Sequence, residues 1–370
     1  MKGKIILLAS AAAAMVAMTA APASAEAWWE NTKISGRMYY DLTNISQDYH
    51  DSSTVGNPKF NGPAAGTNTY GTGFDIKRFY IGIDHTFNDV FSANVTTDFL
   101  YDSGSKATQI YIKKAYLQAK FDPAFVVRLG SSDMPWIPFA EGVYGYRYVE
   151  NTLIDRTKYG TSADWGAYLQ GDLAGKLLSY EFAVVNGNGY KNPSRADSVD
   201  FEGRISLKYN GFVAAIGGYD GKLGVTHGVT THHDATRFDA ILAYVGNGAH
   251  VGVEYFNAND WKSVTKTTTD KADGYSFFGA YEFVPQWSLF GRYDYVNPKS
   301  GSSSVKDNYY NVGIQYEPYK MVDFSLVYKH DDAKGGEIST SNGTIGGITG
   351  PYGNAQGAYD EIGLFGNFQW

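Results

Sequence analysis

The carboxyl end of the chain has a regular pattern of apolar and polar positions. Every second position of the last nine residues carries an apolar or small side chain: Ile362, Leu364, Gly366, Phe368 and Trp370. Phe365 is the one large apolar residue out of phase. Successive side chains of a β-strand point to opposite faces, so this period of two predicts a closing strand with one apolar face and one polar face.

The same alternation recurs along the chain between turn signals. It is clearest at 200–209, where Phe201, Ile205 and Leu207 alternate with Glu202 and Arg204. Applied throughout, the period of two predicts sixteen strands. Their ranges are 33–45, 74–85, 91–101, 110–121, 125–130, 165–173, 179–186, 200–209, 212–219, 236–245, 250–256, 274–283, 288–296, 307–316, 323–331 and 358–370.

The connections between these strands alternate between short and long. Asp122-Pro123 and Asn210-Gly211 are examples of the short turns, whereas 46–73 and 131–164 are long segments. Short turns on one side and long loops on the other are typical of bacterial outer-membrane barrels, and a soluble sandwich has no reason to keep this parity. We therefore predict an all-β fold, a transmembrane antiparallel β-barrel of sixteen strands with both termini on the short-turn side.

The amino terminus has the features of an export signal. Two lysines lie within Met1–Lys4, residues 5–20 are uncharged and largely apolar, and Ala23-Ser24-Ala25 offers small residues for cleavage. An uncleaved membrane anchor is the alternative, but the apolar stretch is shorter than the roughly 20 residues that span a bilayer. We expect residues 1–25 to be a cleaved signal peptide and residues 26–370 to form a single barrel domain.

Charge and cysteine content restrict the functional classes. Removal of the two leader lysines lowers the formal net charge from −7 to −9, and an acidic exported chain is a poor candidate for nucleic-acid binding. The chain has no cysteine, which excludes disulfides, thiolate metal sites and a cysteine nucleophile. We expect no metal and no cofactor.

A barrel of sixteen strands encloses a lumen wide enough for water, so its chemistry lies in the charges of its wall. The strand register points these candidate basic residues inward: Arg37, Arg78, Lys114, Arg128, Arg204, Arg237 and Arg292. Inward acidic residues are about as numerous, which leaves two interpretations. The charges neutralise one another in cross-strand pairs, or arginines collect on one side and create a transverse field that sorts ions.

The connection 131–164 is the longest and differs in composition from the others. It contains Met134-Pro135-Trp136-Ile137-Pro138-Phe139, which is too apolar for a loop left in water. Either the loop folds into the barrel as a constriction, or it packs over the rim or against a neighbouring subunit. If it folds inward, its charged residues border the narrowest opening: Asp133, Glu141, Arg147, Glu150, Asp155, Arg156 and Lys158.

This loop, the segment Gly160-Thr161-Ser162-Ala163-Asp164-Trp165-Gly166 and the opening strand Ser35-Gly36-Arg37-Met38-Tyr39 resemble the phosphate-selective porin O and P family. The resemblance is clearest in the first half of the chain. It implies a sixteen-stranded, trimeric porin of a Gram-negative outer membrane. Phosphate selection in that family depends on a ladder of lumen arginines and a ring of lysines. This chain has only nine arginines, with as many inward acids as bases.

The leading hypothesis is a passive diffusion porin for ions and small hydrophilic solutes, and the alternative is an anion- or phosphate-preferring channel. A hydrolase is disfavoured because no histidine falls at a convincing inward position beside a nucleophile. An adhesive barrel with a filled lumen is disfavoured by the strand number. The trio His232-His233-Asp234 fits a solvated loop better than a metal site. Expected partners are outer-membrane lipid, two further copies of the chain, and the insertion machinery, which we expect to recognise Phe368 and Trp370.

Overall fold

The computed structural model describes residues 29–64, 70–102, 107–300 and 303–370, and the predicted leader, 1–25, lies outside them. Sixteen antiparallel strands form one closed barrel, which confirms the predicted fold class. In chain order they are β1 Thr32–His50, β2 Gly71–Thr86, β3 Phe91–Asp102, β4 Ala107–Asp122, β5 Phe125–Asp133, β6 Ala163–Leu173, β7 Leu178–Val185, β8 Asp200–Tyr209, β9 Phe212–Gly221, β10 Ala235–Gly246, β11 Ala249–Asn259, β12 Asp270–Val284, β13 Trp287–Ser300, β14 Lys306–Tyr319, β15 Val322–Lys334 and β16 Gln356–Gln369.

Each strand pairs with its neighbours in sequence, and the barrel closes where β16 pairs with β1. Partners across this seam include Met38 with Phe368 and Leu42 with Leu364. Two further backbone hydrogen bonds, both 3.1 Å, join Gly36 to Trp370. Among the residues that the structure describes, closure leaves the barrel without an edge strand of unpaired N–H and C=O groups, which is the condition for crossing a bilayer with strands.

Side chains divide between the two faces as the alternation predicts. The outer face carries a belt of exposed apolar residues, among them Ile34, Ile216, Leu242, Leu289, Leu326, Ile362 and Leu364. Exposed aromatic residues gather beside the short turns: Phe87, Phe121, Phe125, Tyr209, Phe212 and Tyr319. An apolar belt with an aromatic girdle fits a bilayer and its interface. Phe365, out of phase in the sequence, points inward and is 1% exposed.

Two of the short turns have left-handed backbone conformations that asparagine and glycine adopt readily. Asn210 and Gly211 have φ values of 48° and 85°, and Asn247 and Gly248 have 52° and 73°. Positive φ at both positions is the requirement of a type I′ hairpin turn, which Asn-Gly meets with little strain.

Two long connections on the opposite side fold into the barrel. The connection between β5 and β6, residues 134–162, is here called the inward loop; it contains helices α1 Ile137–Tyr144 and α2 Leu153–Arg156. The connection between β15 and β16 forms the inward hairpin, with short strands Glu337–Thr340 and Gly343–Gly346. None of the helices in the described residues is long and apolar enough to cross a membrane.

The seam yields the first testable prediction. The Trp370 ring covers Gly36, where an added Cβ would lie 1.9 Å from Trp370 Cζ2, and it packs 5.9 Å from the Phe79 ring. We expect Trp370→Ala to leave export intact and to lower the fraction of chains assembled as heat-resistant barrels, because it removes the ring that covers the seam.

Semi-native electrophoresis of outer-membrane fractions measures this fraction. Tyr352→Ala removes an exposed aromatic ring from a long connection and serves as the matched control. Equal assembly of Trp370→Ala and wild type would contradict a role for Trp370 in closure and recognition.

Candidate functional site

The inward loop packs against the barrel wall inside the lumen. Trp136, Ile137, Leu153 and Ile154 are at most 1% exposed, so the loop is a buried element rather than a flap at the rim. The Trp136 backbone N–H donates to Glu202 at 2.9 Å, and the Trp136 indole N–H donates to Glu254 at 2.9 Å. These contacts place α1 against the wall of β8 and β11. Of the two alternatives for this loop, folding toward the lumen is confirmed.

Arg156, at the end of α2, fixes the loop to a second part of the wall, which is formed by β13 to β15. Its guanidinium donates to Asp294 at 2.9 Å, to Asp331 at 2.8 Å and to Asp307 at 2.7 Å, and all four side chains are fully buried. Tyr309 lies under the guanidinium at 4.5 Å. A buried cation that meets three carboxylates cannot be released without leaving unpaired charges in a site shielded from water.

Three wall arginines bind backbone carbonyl groups of the inward loop. Arg204 donates to Pro135 O at 2.7 Å, Arg237 to Tyr159 O at 2.6 Å and Arg292 to Asn151 O at 2.5 Å. Each satisfies a carbonyl that has no helical or strand partner there. These arginines of β8, β10 and β13 are therefore structural ligands of the loop.

The open space lies between the inward loop and the wall formed by β16 and β1 to β4. An outer cavity of about 680 Å³ is lined by residues of the first long connection and of the inward hairpin. An inner cavity of about 530 Å³ is lined by Lys33, Met321 and Trp370, near the short turns. Tyr39 and Arg147 line both cavities. A wall tyrosine and a loop arginine thus stand between the two cavities, and we take this narrow point as the candidate constriction.

Basic side chains outnumber acidic ones around the two cavities. The basic residues are Lys33, Arg37, Lys77, Arg78, Lys113, Lys114, Arg147 and Lys158. The acidic residues are Asp41, Asp75, Asp84, Asp133, Glu141 and Glu150. Several are paired, for example Arg78 with Asp98 at 3.3 Å and Lys114 with Asp133 at 2.9 Å.

Arg147 is the loop's charged contribution to the constriction. Its guanidinium contacts Glu141 at 2.5 Å and Asp155 at 3.4 Å. Burial opposes its charge, but Glu141 and Asp155 hold the pKa of Arg147 well above its usual value. Burial in turn raises the pKa of Asp155, and Arg147 offsets only part of that effect. The guanidinium is thereby held in position and remains charged.

Glu150 joins the inward loop to the inward hairpin. Ser341 and Asn342 each donate to its carboxylate at 2.7 Å, and Lys329 lies 3.5 Å away. Burial disfavours the ionised carboxylate, but Lys329 and Lys77, helped by those hydrogen bonds, lower the pKa of Glu150 below its usual value. The carboxylate therefore stays ionised at neutral pH and couples the outer mouth to the constriction.

Strict alternation does not predict that Lys77 and Lys113 face the lumen. Both do so because β-bulges shift the register of their strands. Tyr39 pairs with Arg78 but Tyr40 pairs with Ile76, so Lys77 is the extra residue. Thr96 pairs with Lys114 but Thr97 pairs with Ile112, so Lys113 is the extra residue of β4. A bulge turns two successive side chains to one face. The sequence does carry a signal, because the outward apolar positions change phase between Ile76 and Phe79 and between Ile112 and Ala115.

The candidate residues named from the sequence thus separate into groups. Arg37, Arg78 and Lys114 line the cavities at the constriction. Arg128 lies on the wall of β5, where it donates to Gln118 at 2.9 Å. Arg204 lines a separate recess of about 510 Å³, here called the side recess, with Phe139 and Lys208.

Three expectations require correction. Arg237 and Arg292 were expected to line the pore, but both are buried under the inward loop. Arg156 was expected to border the narrowest opening, but it points into the wall and is 0% exposed. The physical reason is the same in each case: the loop's carbonyl groups and the wall's aspartates need these guanidinium groups as partners once water is excluded.

The remaining loop candidates lie near the opening. Asp133, Glu141, Glu150 and Lys158 line one cavity or the other, and Asp155 lies behind Arg147. Within the described ranges, no group of three or more His, Asp or Glu side chains is arranged to hold a metal ion. His233 lies 3.9 Å from Asp260 in a long connection.

Loop anchorage yields the second prediction. We expect Arg156→Ala to destabilise the barrel by about 3–5 kcal/mol, because it leaves buried Asp307 and Asp331 without their cation while Asp294 keeps Arg292. The free energy of unfolding in urea measures the loss, and single-channel conductance should rise as the loop leaves the wall. Arg195→Ala, at an exposed arginine of another long connection, is the control. A change within about 0.5 kcal/mol of wild type would refute the anchor role of Arg156.

Comparison with known proteins gives similarity at the level of the fold. No family model and no curated protein matches the sequence. Among solved structures, an anion-selective porin from Comamonas acidovorans is similar with a TM-score of 0.58 and 11% identity, over 91% of this chain and 99% of that one. OmpT, an outer-membrane protein of Vibrio cholerae, has a TM-score of 0.57 and 13% identity, over 92% and 97%. The outer-membrane channel DcaP of Acinetobacter baumannii has 0.52 and 11%, over 90% and 96%. The chain shares the β-barrel fold of these outer-membrane proteins.

Proposed function

We propose that this protein is an outer-membrane porin, a water-filled channel for passive diffusion of ions and small hydrophilic solutes. The observation that carries the proposal is the pair of cavities, one toward each end of the barrel, whose linings share Tyr39 and Arg147. One cavity reaches the long-connection end of the barrel and the other reaches the short-turn end. A polar path through an otherwise apolar bilayer is the property that a diffusion channel requires.

The size of the path restricts the solutes. The inward loop and the inward hairpin occupy much of the lumen, and the cavities of about 680 and 530 Å³ lie on one side of them. A passage of this size suits ions and small polar molecules.

A preference for anions is the second candidate function, and the charge distribution favours it. Arg37, Arg78, Lys113 and Lys114 lie along the side of the passage opposite the inward loop, and Arg147 faces them from the loop. Fixed positive charge in a narrow channel attracts anions and repels cations within a Debye length, about 8–10 Å at ordinary salt. Phosphate is one anion to test, in view of the sequence resemblance.

Location and assembly belong to the same proposal. We infer export with cleavage after residue 25, insertion of domain 26–370 into a Gram-negative outer membrane through recognition of β16, and assembly as a homotrimer in contact with lipid. The apolar belt and the aromatic girdle support the membrane setting. The similar Vibrio cholerae structures include one described as a trimer form, with 14% identity.

Ion preference yields a direct electrical prediction. Replacement of Arg37 and Arg78 by alanine should shift the reversal potential in a KCl gradient toward that of a cation-preferring pore, because it removes two fixed positive charges and leaves Asp98 without its arginine. Planar bilayer recordings of wild type and the double variant measure the shift.

The control for this experiment is Arg195→Ala, which removes one positive charge from an exposed site outside the passage. Unchanged reversal potential in the double variant would mean that these arginines are only paired wall charges. Saturable block of wild-type current by phosphate would favour a phosphate-preferring channel, and absence of any channel current would refute the porin function.

Assembly yields a separate prediction. The purified mature protein should migrate as a trimer in mild detergent and give a β-dominated circular dichroism spectrum, because subunit contacts add to closure of the hydrogen-bond ladder in a chain without disulfides. Sedimentation in detergent measures the oligomeric state. A stable monomer would remove the trimer and leave the channel proposal intact.

A further inference from the structure

Lys113 in the lumen and Lys191 in the long connection before β8 have tyrosine rings as neighbours, whereas the nearby Lys114 and Arg78 have carboxylates. Lys113 Nζ lies 4.9 Å from the centre of the Tyr80 ring and 6.0 Å from that of Tyr190. Lys191 Nζ lies 4.6 Å from the centre of the Tyr111 ring and 5.8 Å from that of Tyr190. Across the described part of the chain, neither ammonium group forms an ion pair with an acidic side chain, whereas the adjacent Lys114 and Arg78 both do.

Lys113 is the more informative of the two because it is only 9% exposed. A mostly buried ammonium group normally has a carboxylate partner, and an aromatic face replaces that partner only in part. The bulge in β4 directs this side chain inward. Among the described residues, the ammonium group at this position therefore has ring faces in contact and no carboxylate within ion-pair distance.

The tyrosine rings form a continuous surface beside these lysines. Tyr111 and Tyr190 are stacked, with centroids 5.9 Å apart and an interplanar angle of 30°. Asp98 accepts a hydrogen bond from the Tyr111 hydroxyl at 3.1 Å and another from Arg78 at 3.3 Å, which fixes the ring relative to the arginine. We call this set the tyrosine–lysine strip: Arg78, Tyr80, Tyr111, Lys113, Tyr190 and Lys191.

The strip extends through the constriction. Arg78 lines the outer cavity, whereas Tyr80 and Lys113 line the inner cavity. Tyr190 and Lys191 belong to the long connection before β8, at the outer end. A solute that passes from one cavity to the other therefore moves past Arg78, Tyr80 and Lys113, and the rest of the strip extends from them toward the outer end.

We propose that the tyrosine–lysine strip is a binding site for aromatic carboxylates in transit, a proposal that rests on the channel function above. The carboxylate would take the place of the ring faces as the partner of the ammonium groups. Once the ammonium groups turn toward it, the ligand's ring stacks on Tyr111, Tyr190 or Tyr80. Aromatic pairs of this kind are stabilised beyond the burial of their area, and ion pairing with a shielded ammonium adds to that stabilisation.

Other ligands use only half of the strip. Inorganic phosphate or an aliphatic carboxylate would pair with the lysines but leave the rings unused, and a neutral aromatic compound would stack but leave the lysines unpaired. The arrangement of both features in one strip therefore favours a ligand that carries a ring and a carboxylate together.

The test is block of ion current by matched probes. Wild-type protein in planar bilayers carries KCl current while benzoate is added, and cyclohexanecarboxylate and benzamide serve as the saturated and the neutral counterparts. Phosphate is tested in parallel. We expect saturable block by benzoate at a half-blocking concentration about twofold to tenfold lower than that of cyclohexanecarboxylate, since stacking contributes about 0.5–1.5 kcal/mol.

Variants locate the site. Lys113→Met and Tyr111→Leu should each raise the half-blocking concentration of benzoate by about threefold to tenfold. Lys208→Met is the matched control, because Lys208 also lies over an aromatic ring, 5.2 Å from Phe139, but in the side recess. Tyr111→Phe keeps the ring and should keep most of the preference for benzoate over cyclohexanecarboxylate. Retention of heat-resistant mobility shows that each variant is folded.

The outcomes separate this inference from the function on which it rests. Absence of wild-type current would refute the channel. Current without saturable benzoate block, equal block by benzoate and cyclohexanecarboxylate, or stronger block by phosphate would each overturn the aromatic carboxylate site and leave the channel standing. An equal effect of Lys208→Met and Lys113→Met would also overturn it, because block would then reflect general lumen charge.

Discussion

The structure depends on one constraint, that the charges buried beneath the inward loop must be paired because the loop excludes water from them. Arg156 meets Asp294, Asp307 and Asp331 at 2.7–2.9 Å in a fully buried cluster, and breaking such a cluster leaves uncompensated charge. The cluster holds the loop to the wall of β13 to β15. Arg204, Arg237 and Arg292 extend the attachment along the same side through carbonyl groups of the loop. The attachment decides which part of the lumen remains open.

The open side has a different electrostatic character because the loop does not cover it. Tyr39 and the basic residues of β1 to β4 face the passage there, and Arg147 approaches from the loop, positioned by Glu141 and Asp155. The lumen as a whole has about as many acidic as basic residues, but the passage is lined by more basic than acidic ones. Many of the acidic residues pair with the anchoring groups under the loop instead. Glu150 connects this arrangement to the inward hairpin and hence to the outer mouth.

Bulges in β2 and β4 give the open wall its density of positive charge. Without them, one member of each basic pair, Lys77-Arg78 and Lys113-Lys114, would face the bilayer, at a cost of about 2–4 kcal/mol near the midplane. The extra residue in each strand turns both members inward while the apolar positions on either side keep their outward face. Lys77 is neutralised by Asp41 and Glu361, whereas Lys113 rests on tyrosine rings. The bulge in β2 thus adds a lysine that is paired with wall carboxylates, whereas the bulge in β4 adds a lysine that contacts tyrosine rings.

The sequence alone determined the barrel, its sixteen strands and the side on which the long loops lie, because each follows from a local periodicity. The composition of the 131–164 connection showed that it must be buried, but left open whether it folds inward or packs at the rim or against a subunit. It did not determine which inward charges meet the passage. Arg156, Arg237 and Arg292 look like pore residues in the sequence, but loop packing makes them buried anchors. Lys113 looks like a lipid-facing misfit, but a one-residue shift in strand pairing turns it into the lumen. Alternation depends on neighbours along the chain. The partners of a charged side chain around the barrel and across the lumen are set only when the sheet closes and water is excluded. The tertiary structure was therefore needed to decide which charged residues line the passage.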